Sequence, residues 1–211
     1  MFSPYKLCVY SIVKDEMRNI DRYLEFVSEA DEVVILDTGS TDGTYEYLLT
    51  KENIKVYQKY YELFRFDIAR NDALDLTSDE CDIYISIEPD MILCEGWVDA
   101  LKKAWSPELT FLTIPQYFKA DNKSGIWKAH KKDGVRWDYP VLEMPMSEDP
   151  KNALNRDVIS TIIIHDFDPY KESHKQYLPL AKLGVNEKDG DPYSKIARQK
   201  IIKNLEKYPL K

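Results

Sequence analysis

The sequence predicts an α/β protein with a mostly parallel central sheet, helices on both of its faces, a β-rich second half and C-terminal helices. Up to residue 106, apolar strand-like runs alternate with segments of helical spacing. Handedness and crossover rules turn such a β-α-β-α series into a largely parallel sheet. After Pro107 the texture changes to aromatic and β-branched runs punctuated by Asn, Gly, Asp and Pro, the pattern of shorter strands and turns. A chain of 211 residues suffices for one substantial core. It reads as a single domain, 1–211, with a first half ending at 106, a second half over 107–170 and closing helices over 171–211.

Taken in order, LCVYSIV (7–13) is an apolar strand, and Ile20, Leu24 and Val27 recur at helical spacing. EVVILD (32–37) is the next strand, TYEYLL has helical character, and IKVYQK is again extended. FDIARNDALDL is helical, CDIYISIEPD is a strand, and GWVDALKKAW closes the alternation with a helix. The second half supplies TFLTIPQYF, GIWKAHKK, VRWDYPVLEM and STIIIHDF as strands, then helices over about 171–183 and 192–208.

Charged residues make up 31% of the chain and apolar ones 44%, with a net charge of -8. That balance suits a folded chain, and the acidity argues against nucleic acid as a partner. A phosphorylated ligand would need a metal ion or backbone amides to offset the repulsion. Cys8, Cys81 and Cys94 are an odd number without metal-ligand spacing, which points to a reducing compartment. The first residues lack the pattern of a signal peptide, and nowhere do about 18 apolar residues run together. The expectation is a cytoplasmic protein without a transmembrane segment. Its last stretch, KIARQKIIKNLEKYPLK, is basic and reads as a solvated amphipathic helix, with a membrane-surface or partner contact as the alternative. Stopping at such a helix is compatible with one domain of a longer polypeptide.

The stretch VVILDTGSTDGTYEYL (33–48) contains Asp37-Thr38-Gly39-Ser40, the letters of an aspartic protease turn. Such a protease needs two of these turns sharing a proton between paired carboxylates, and the chain has one. The residues after Ser40, Thr41-Asp42-Gly43-Thr44, offer helix-capping oxygens. Strand, turn and helix in an alternating chain make an α/β ligand site instead, because ligands collect beyond the carboxyl ends of the strands. Asp37 lies at such an end, where its carboxylate accepts either from a ribose or base N–H or, structurally, from its own turn. Ile87-Glu88-Pro89-Asp90 stands at another strand end. Adjacent carboxylates repel unless a cation lies between them, and oxygen ligands suit Mg²⁺ or Mn²⁺; exposed loop charges are the plainer alternative.

Three segments, YSIVKDEMRNIDRYLEFVSEADEVVILDTGSTDGT, FDIARNDAL and ISIEPD, resemble the inverting nucleotide-sugar glycosyltransferases of the GT-A fold, family 2, whose small virus-encoded members are also similar. They span Tyr10 to about Trp105. The resemblance implies a Rossmann-like GT-A sheet and a hexosyltransferase type of reaction. It implies that Asp37 contacts the nucleoside, that Ser11, Ile12 and Val13 wall the base with Asp15 or Glu16 nearby, and that Arg70 lies near the diphosphate. Glu88 and Asp90 would hold Mn²⁺ or Mg²⁺. The pattern usually has Asp where Glu88 stands and another acid where Met91 stands, so Asp90 is the expected direct ligand and Glu88 acts on the ribose or through water.

In the second half, DYPVLEM resembles a segment that usually reads His-Glu, with Leu142 in place of the His and Glu143 retained. An attacking hydroxyl needs a carboxylate to take its proton: Glu143 is the first candidate, Asp138 the reserve. STIIIHDF resembles the strand that ends in the family's late histidine, which makes His165 a nitrogen ligand; a hydrogen-bonded structural histidine is the alternative. His130 and His174 have no such context. Trp127, Trp137, Tyr139, Tyr117 and Phe118 include one or two candidates for a sugar-binding wall, and loops after Asp90 and around 122–132 are candidates to close over the donor. The implied partners are a nucleotide-sugar donor and a glycan or glycoconjugate acceptor. The rivals are a nucleotidyltransferase, which would want a basic glycine-rich loop where KDEMRN stands, and a nucleotide-sugar or glycan-binding module with impaired catalysis.

Overall fold

A computed structural model describes residues 4–119, 123–140 and 143–166. Strand β1 (Leu7–Val13) is buried at every position. It lies between β2 (Glu32–Asp37) and β4 (Ile83–Ser86), parallel to both, and β3 (Lys55–Gln58) extends the parallel ladder beyond β2. A strand covered on both faces has to be continuously apolar, and the two faces of β1 feed different cores. Leu7, Val9 and Val13 pack with Ile20, Tyr23 and Val27 of α1 (Ile20–Val27), Leu48 of α2 (Thr44–Leu48) and Trp97 and Leu101 of α4 (Trp97–Ala104). Cys8, Tyr10 and Ile12 pack with Ala69, Ala73 and Leu74 of α3 (Phe66–Asp75). Helices therefore cover both faces of this half, as the period-two and period-3.6 patterns require.

Beyond β4 the sheet changes character. Strand β7 (Lys123–His130) runs antiparallel to β4 and to β6 (Phe111–Phe118). Strand β6 is parallel to β11 (Ile163–His165) and to the short β10 (Asn155–Asp157), and β11 is antiparallel to β5 (Met91–Leu93). The order is β3-β2-β1-β4-β7-β6-β11-β5, with β10 on β6. The unbroken parallel run expected from the sequence is β3-β2-β1-β4; beyond it, antiparallel ladders of β7 and β5 alternate with the parallel pairs that β6 makes with β10 and β11. Strands β6 and β7 are joined too closely for a parallel crossover, which needs a dozen or more residues, so the whole is a mixed α/β sheet.

The hairpin of β8 (Val135–Asp138) and β9 (Met144–Ser147) forms a second, two-stranded sheet. The segments expected as loops, after Asp90 and around 122–132, contain β5 and β7 instead. The expected helices at 171–183 and 192–208 lie outside the described residues. Among the described residues, no helix is long and apolar enough to cross a membrane.

Candidate active site

The register of the parallel strands brings the acidic residues to one edge. Asp37 pairs with Val13, and Tyr10 pairs with Ser86; Val13 lies as far past Tyr10 as Pro89 lies past Ser86. The tips of β2 and β4 flank that of β1, roughly 10 Å apart by strand spacing. Asp37 is fully buried. Its Oδ1 accepts the N–H groups of Gly39 (2.9 Å) and Ser40 (3.0 Å) and the amide of Gln58 (3.1 Å). Its Oδ2 is buried without a hydrogen-bond partner. Gly39, at φ 106°, lets the chain turn this tightly around the carboxylate.

Asp15 and Glu16 join this tip to the next. The Asp15 N–H donates to Ser40 Oγ (2.8 Å), its carboxylate accepts the Thr41 N–H (2.7 Å), and the Glu16 N–H donates to Thr44 Oγ1 (2.9 Å). Both residues thus brace the loop that carries Asp37. Ile12 and Val13, almost wholly covered, complete the tip of β1.

At the tip of β4, Glu88, Asp90 and His165 converge, with ligand-type atoms of all three within 4.8 Å of one another. His165 comes from β11, paired across β5 at Met91, so the ladder itself delivers the imidazole to Asp90. Its Nε2 lies 3.2 Å from Asp90 Oδ2. Burial opposes a charged imidazole, but the bond to Asp90 and the charges of Asp90 and Glu88 outweigh it and raise the His165 pKa. Two carboxylates and an imidazole fit a divalent cation that accepts oxygen and nitrogen, which describes Mn²⁺ better than Mg²⁺.

Arg70, on α3, organises the rest. It is 2% exposed; its Nε and Nη2 both reach Glu143 Oε1 at 2.7 Å, its Nη1 donates to Ser86 Oγ at 2.6 Å, and its Nη2 also pairs with Glu88. The guanidinium lies 4.7 Å from the ring centre of Trp137 and 5.5 Å from that of Trp127, a cation–π setting. Burial raises the Glu143 pKa; the Arg70 charge works against this and the Glu88 charge adds to it.

Several expectations change. Arg70 is enclosed and committed, so it positions two carboxylates and does not present its charge openly to a diphosphate. Ser11 is fully buried, its hydroxyl bonded to Tyr23 and to the Ile87 carbonyl; its side chain ties β1 to α1 and to the exit of β4. In β8 buried Val135 and Trp137 alternate with exposed Arg136 and Asp138. Asp138 therefore faces away from Trp137 and Arg70, and its Oδ1 accepts the Tyr139 N–H at 2.7 Å. Trp137 and Tyr139 are buried, while Trp127, Tyr117 and Phe118 are half-buried. Leu142 lies outside the described residues.

Sequence reasoning missed Asn71, whose side chain bonds both the N–H and the C=O of Trp137 at 2.9 Å, and Arg22, beside the Pro89 carbonyl. Only its place next to Arg70 on a helix could have pointed to Asn71. A groove of about 510 Å³ lined by Cys81, Lys132, Gly134 and Arg136 lies by the other end of β4, away from this cluster.

No protein-family model matches the chain, nor does any curated protein. Among solved structures it is similar to that of S. aureus TarS 1-349, with a TM-score of 0.54 and 16% identity over 93% of this chain and 69% of that one. At that identity the likeness is one of fold, singling out neither a family nor a viral source: the chain has a glycosyltransferase-like mixed α/β fold.

Proposed function

We propose that the chain is a metal-dependent inverting glycosyltransferase that moves a sugar from a nucleotide-sugar, in the first instance a UDP-sugar, to a hydroxyl of a glycan or glycoconjugate. The observation that carries this reading is the meeting of Glu88, Asp90 and His165 at strand tips beside Asp37, in a chain with a glycosyltransferase-like fold. Asp90, His165 and Glu88 would hold Mn²⁺ or Mg²⁺, which when bound offsets the charge gathering on a departing diphosphate. Asp37 offers its Oδ2 to a base or ribose proton once the donor seats. Glu143 takes the proton of the acceptor hydroxyl as that oxygen attacks the anomeric carbon; burial, by raising its proton affinity, suits it to the task. One displacement inverts the anomeric centre. Arg70, through ion pairs to both, bridges Glu143 and Glu88.

A second reading, a nucleotide-sugar or glycan-binding module with impaired catalysis, is favoured by the ion pair between Arg70 and Glu143, which lowers the availability of that carboxylate. A panel of nucleotide-sugars, assayed for hydrolysis and transfer with and without Mn²⁺, separates the two. Turnover of one donor, lost in Asp90→Ala, is expected. Metal-dependent nucleotide binding without turnover would favour the module, and neither binding nor turnover would remove both readings.

A further inference from the structure

We propose that Arg22 is the anion clamp of this site, the guanidinium that receives the diphosphate of a bound nucleotide in place of the sequestered Arg70. The inference rests on the glycosyltransferase reading and assigns within it a residue that the sequence motifs do not mark. Charge counting motivates it. Glu88, Asp90 and Glu143 with Arg70 carry a net charge of about -2, and a divalent ion cancels it. A diphosphate adds two or more negative charges to a neutral cluster and needs a further cation.

Arg22 has the position and the spare capacity. It projects from α1 so that Nη2 lies 3.4 Å from the carbonyl of Pro89, the residue between Glu88 and Asp90. Its other contacts are also long: Nη2 to Asn19 Oδ1 at 3.4 Å and Nη1 to Asp166 Oδ2 at 3.7 Å. Good N–H···O bonds to a charged oxygen span about 2.7–2.9 Å, so these contacts steer the head group without saturating it. Its Nε is buried without a hydrogen-bond partner. Nevertheless the side chain is 35% exposed, against 2% for Arg70, so a ligand can reach it. Asp166 follows His165 and its N–H bonds the Asp90 carbonyl at 2.8 Å. Its carboxylate is shared with Lys119, 3.2 Å away, which leaves the trio of Arg22, Lys119 and Asp166 with a net positive charge. A planar fork held loosely beside a metal motif suits two phosphate oxygens.

The test is calorimetric titration of the full chain with uridine diphosphate in the presence of Mn²⁺, with inorganic pyrophosphate and uridine as companion probes. Arg22→Gln is expected to weaken both diphosphates by about ten- to a hundredfold and to leave uridine within twofold. Arg22→Lys, which keeps charge but loses the fork, should fall between. Thermal melts of both variants check folding. Equal diphosphate affinity in Arg22→Gln and in the natural chain would overturn the clamp and leave the glycosyltransferase reading standing. A natural chain that binds no diphosphate with Mn²⁺ would overturn both.

Discussion

The two sides of the candidate site, one proposed for the donor and one for the acceptor, are held by different kinds of bond. On the donor side, Asp37 is placed by backbone: a parallel ladder fixes β2 against β1, and N–H groups of its own turn grip the carboxylate. On the acceptor side, Glu143 adjoins β9 in a hairpin whose strands pair only with each other among the described residues. The described ties between that hairpin and the main body include Asn71 to Trp137, Arg70 to Glu143, Arg136 to Asp75 at 2.7 Å, and the Phe66 N–H to the Pro140 carbonyl at 3.1 Å. A ladder distributes its free energy over many bonds, whereas a docked hairpin depends on a few. In stability, the donor side should therefore tolerate single substitutions better than the acceptor side.

The sharpest break is Glu143→Gln. Removing a general base costs about 10²–10⁴ in rate, so kcat for transfer should fall by about a thousandfold with donor KM little changed. Steady-state kinetics with the active donor reads this directly. A loss confined to KM would make Glu143 a binding residue only.

The seam between the two sides should be acid-sensitive. His130 of β7 is fully buried, 2.7 Å from the Tyr10 hydroxyl of β1, which also accepts the Trp137 indole N–H of β8 at 2.5 Å. Burial, the largest influence, lowers its pKa to about 4 from 6.5. A histidine held neutral in the fold takes up its proton more readily when unfolded. Its contribution is therefore present above pH 6.5 and is lost as the pH falls from 6.5 toward 4, by up to about 3 kcal/mol. Urea unfolding at pH 7 and pH 4.5 should show a steeper loss for the natural chain than for His130→Gln; parallel losses would assign the acid sensitivity elsewhere.

Asn71→Ala comes next in size. It removes two hydrogen bonds worth about 1 kcal/mol each, and a drop of about 4–8 °C in Tm should result. If Asn71 also sets the hairpin that presents Glu143, kcat should fall by about tenfold in the natural background and not at all in a Glu143→Gln background. Equal losses in both backgrounds would reduce Asn71 to a stabilising residue.

The same contrast explains what could be read from the sequence. Strands β1 and β2 are legible residue for residue, because LCVYSIV and EVVILD must bury both faces and say so in composition alone. Strand β10, Asn155-Arg156-Asp157, is exposed throughout and exists through its ladder with β6, so no pattern in three polar residues could announce it. Strand β5 hides in the same way, as three apolar residues between an acidic turn and a helix. In the site, Asp37, Glu88, Asp90 and His165 stand at strand ends and were visible as chemistry at predictable places. The commitments of Arg70, Ser11 and Asn71 were not, since each depends on a neighbour 16 to 76 residues away, and the sequence carries no record of such distances.

The smallest expected effect on stability tests the donor side. Asp37→Asn keeps an acceptor at Oδ1 for the turn, so the N–H groups of Gly39 and Ser40 remain satisfied and the fold should lose little. What changes is Oδ2: an amide in its place donates where the carboxylate could accept, and the negative charge is gone. If that oxygen receives a base or ribose proton, exchanging a charged acceptor for an amide costs about 1.5–3 kcal/mol, and donor KM should rise by at least about tenfold with kcat within twofold. Asp37→Ala removes the turn's acceptor as well, so its extra loss should appear in Tm and not in KM. Should Asp37→Asn leave KM untouched while Asp37→Ala lowers Tm, the carboxylate belongs to the turn alone, and the donor side would then rest on the carboxylates of β4 and on Arg22.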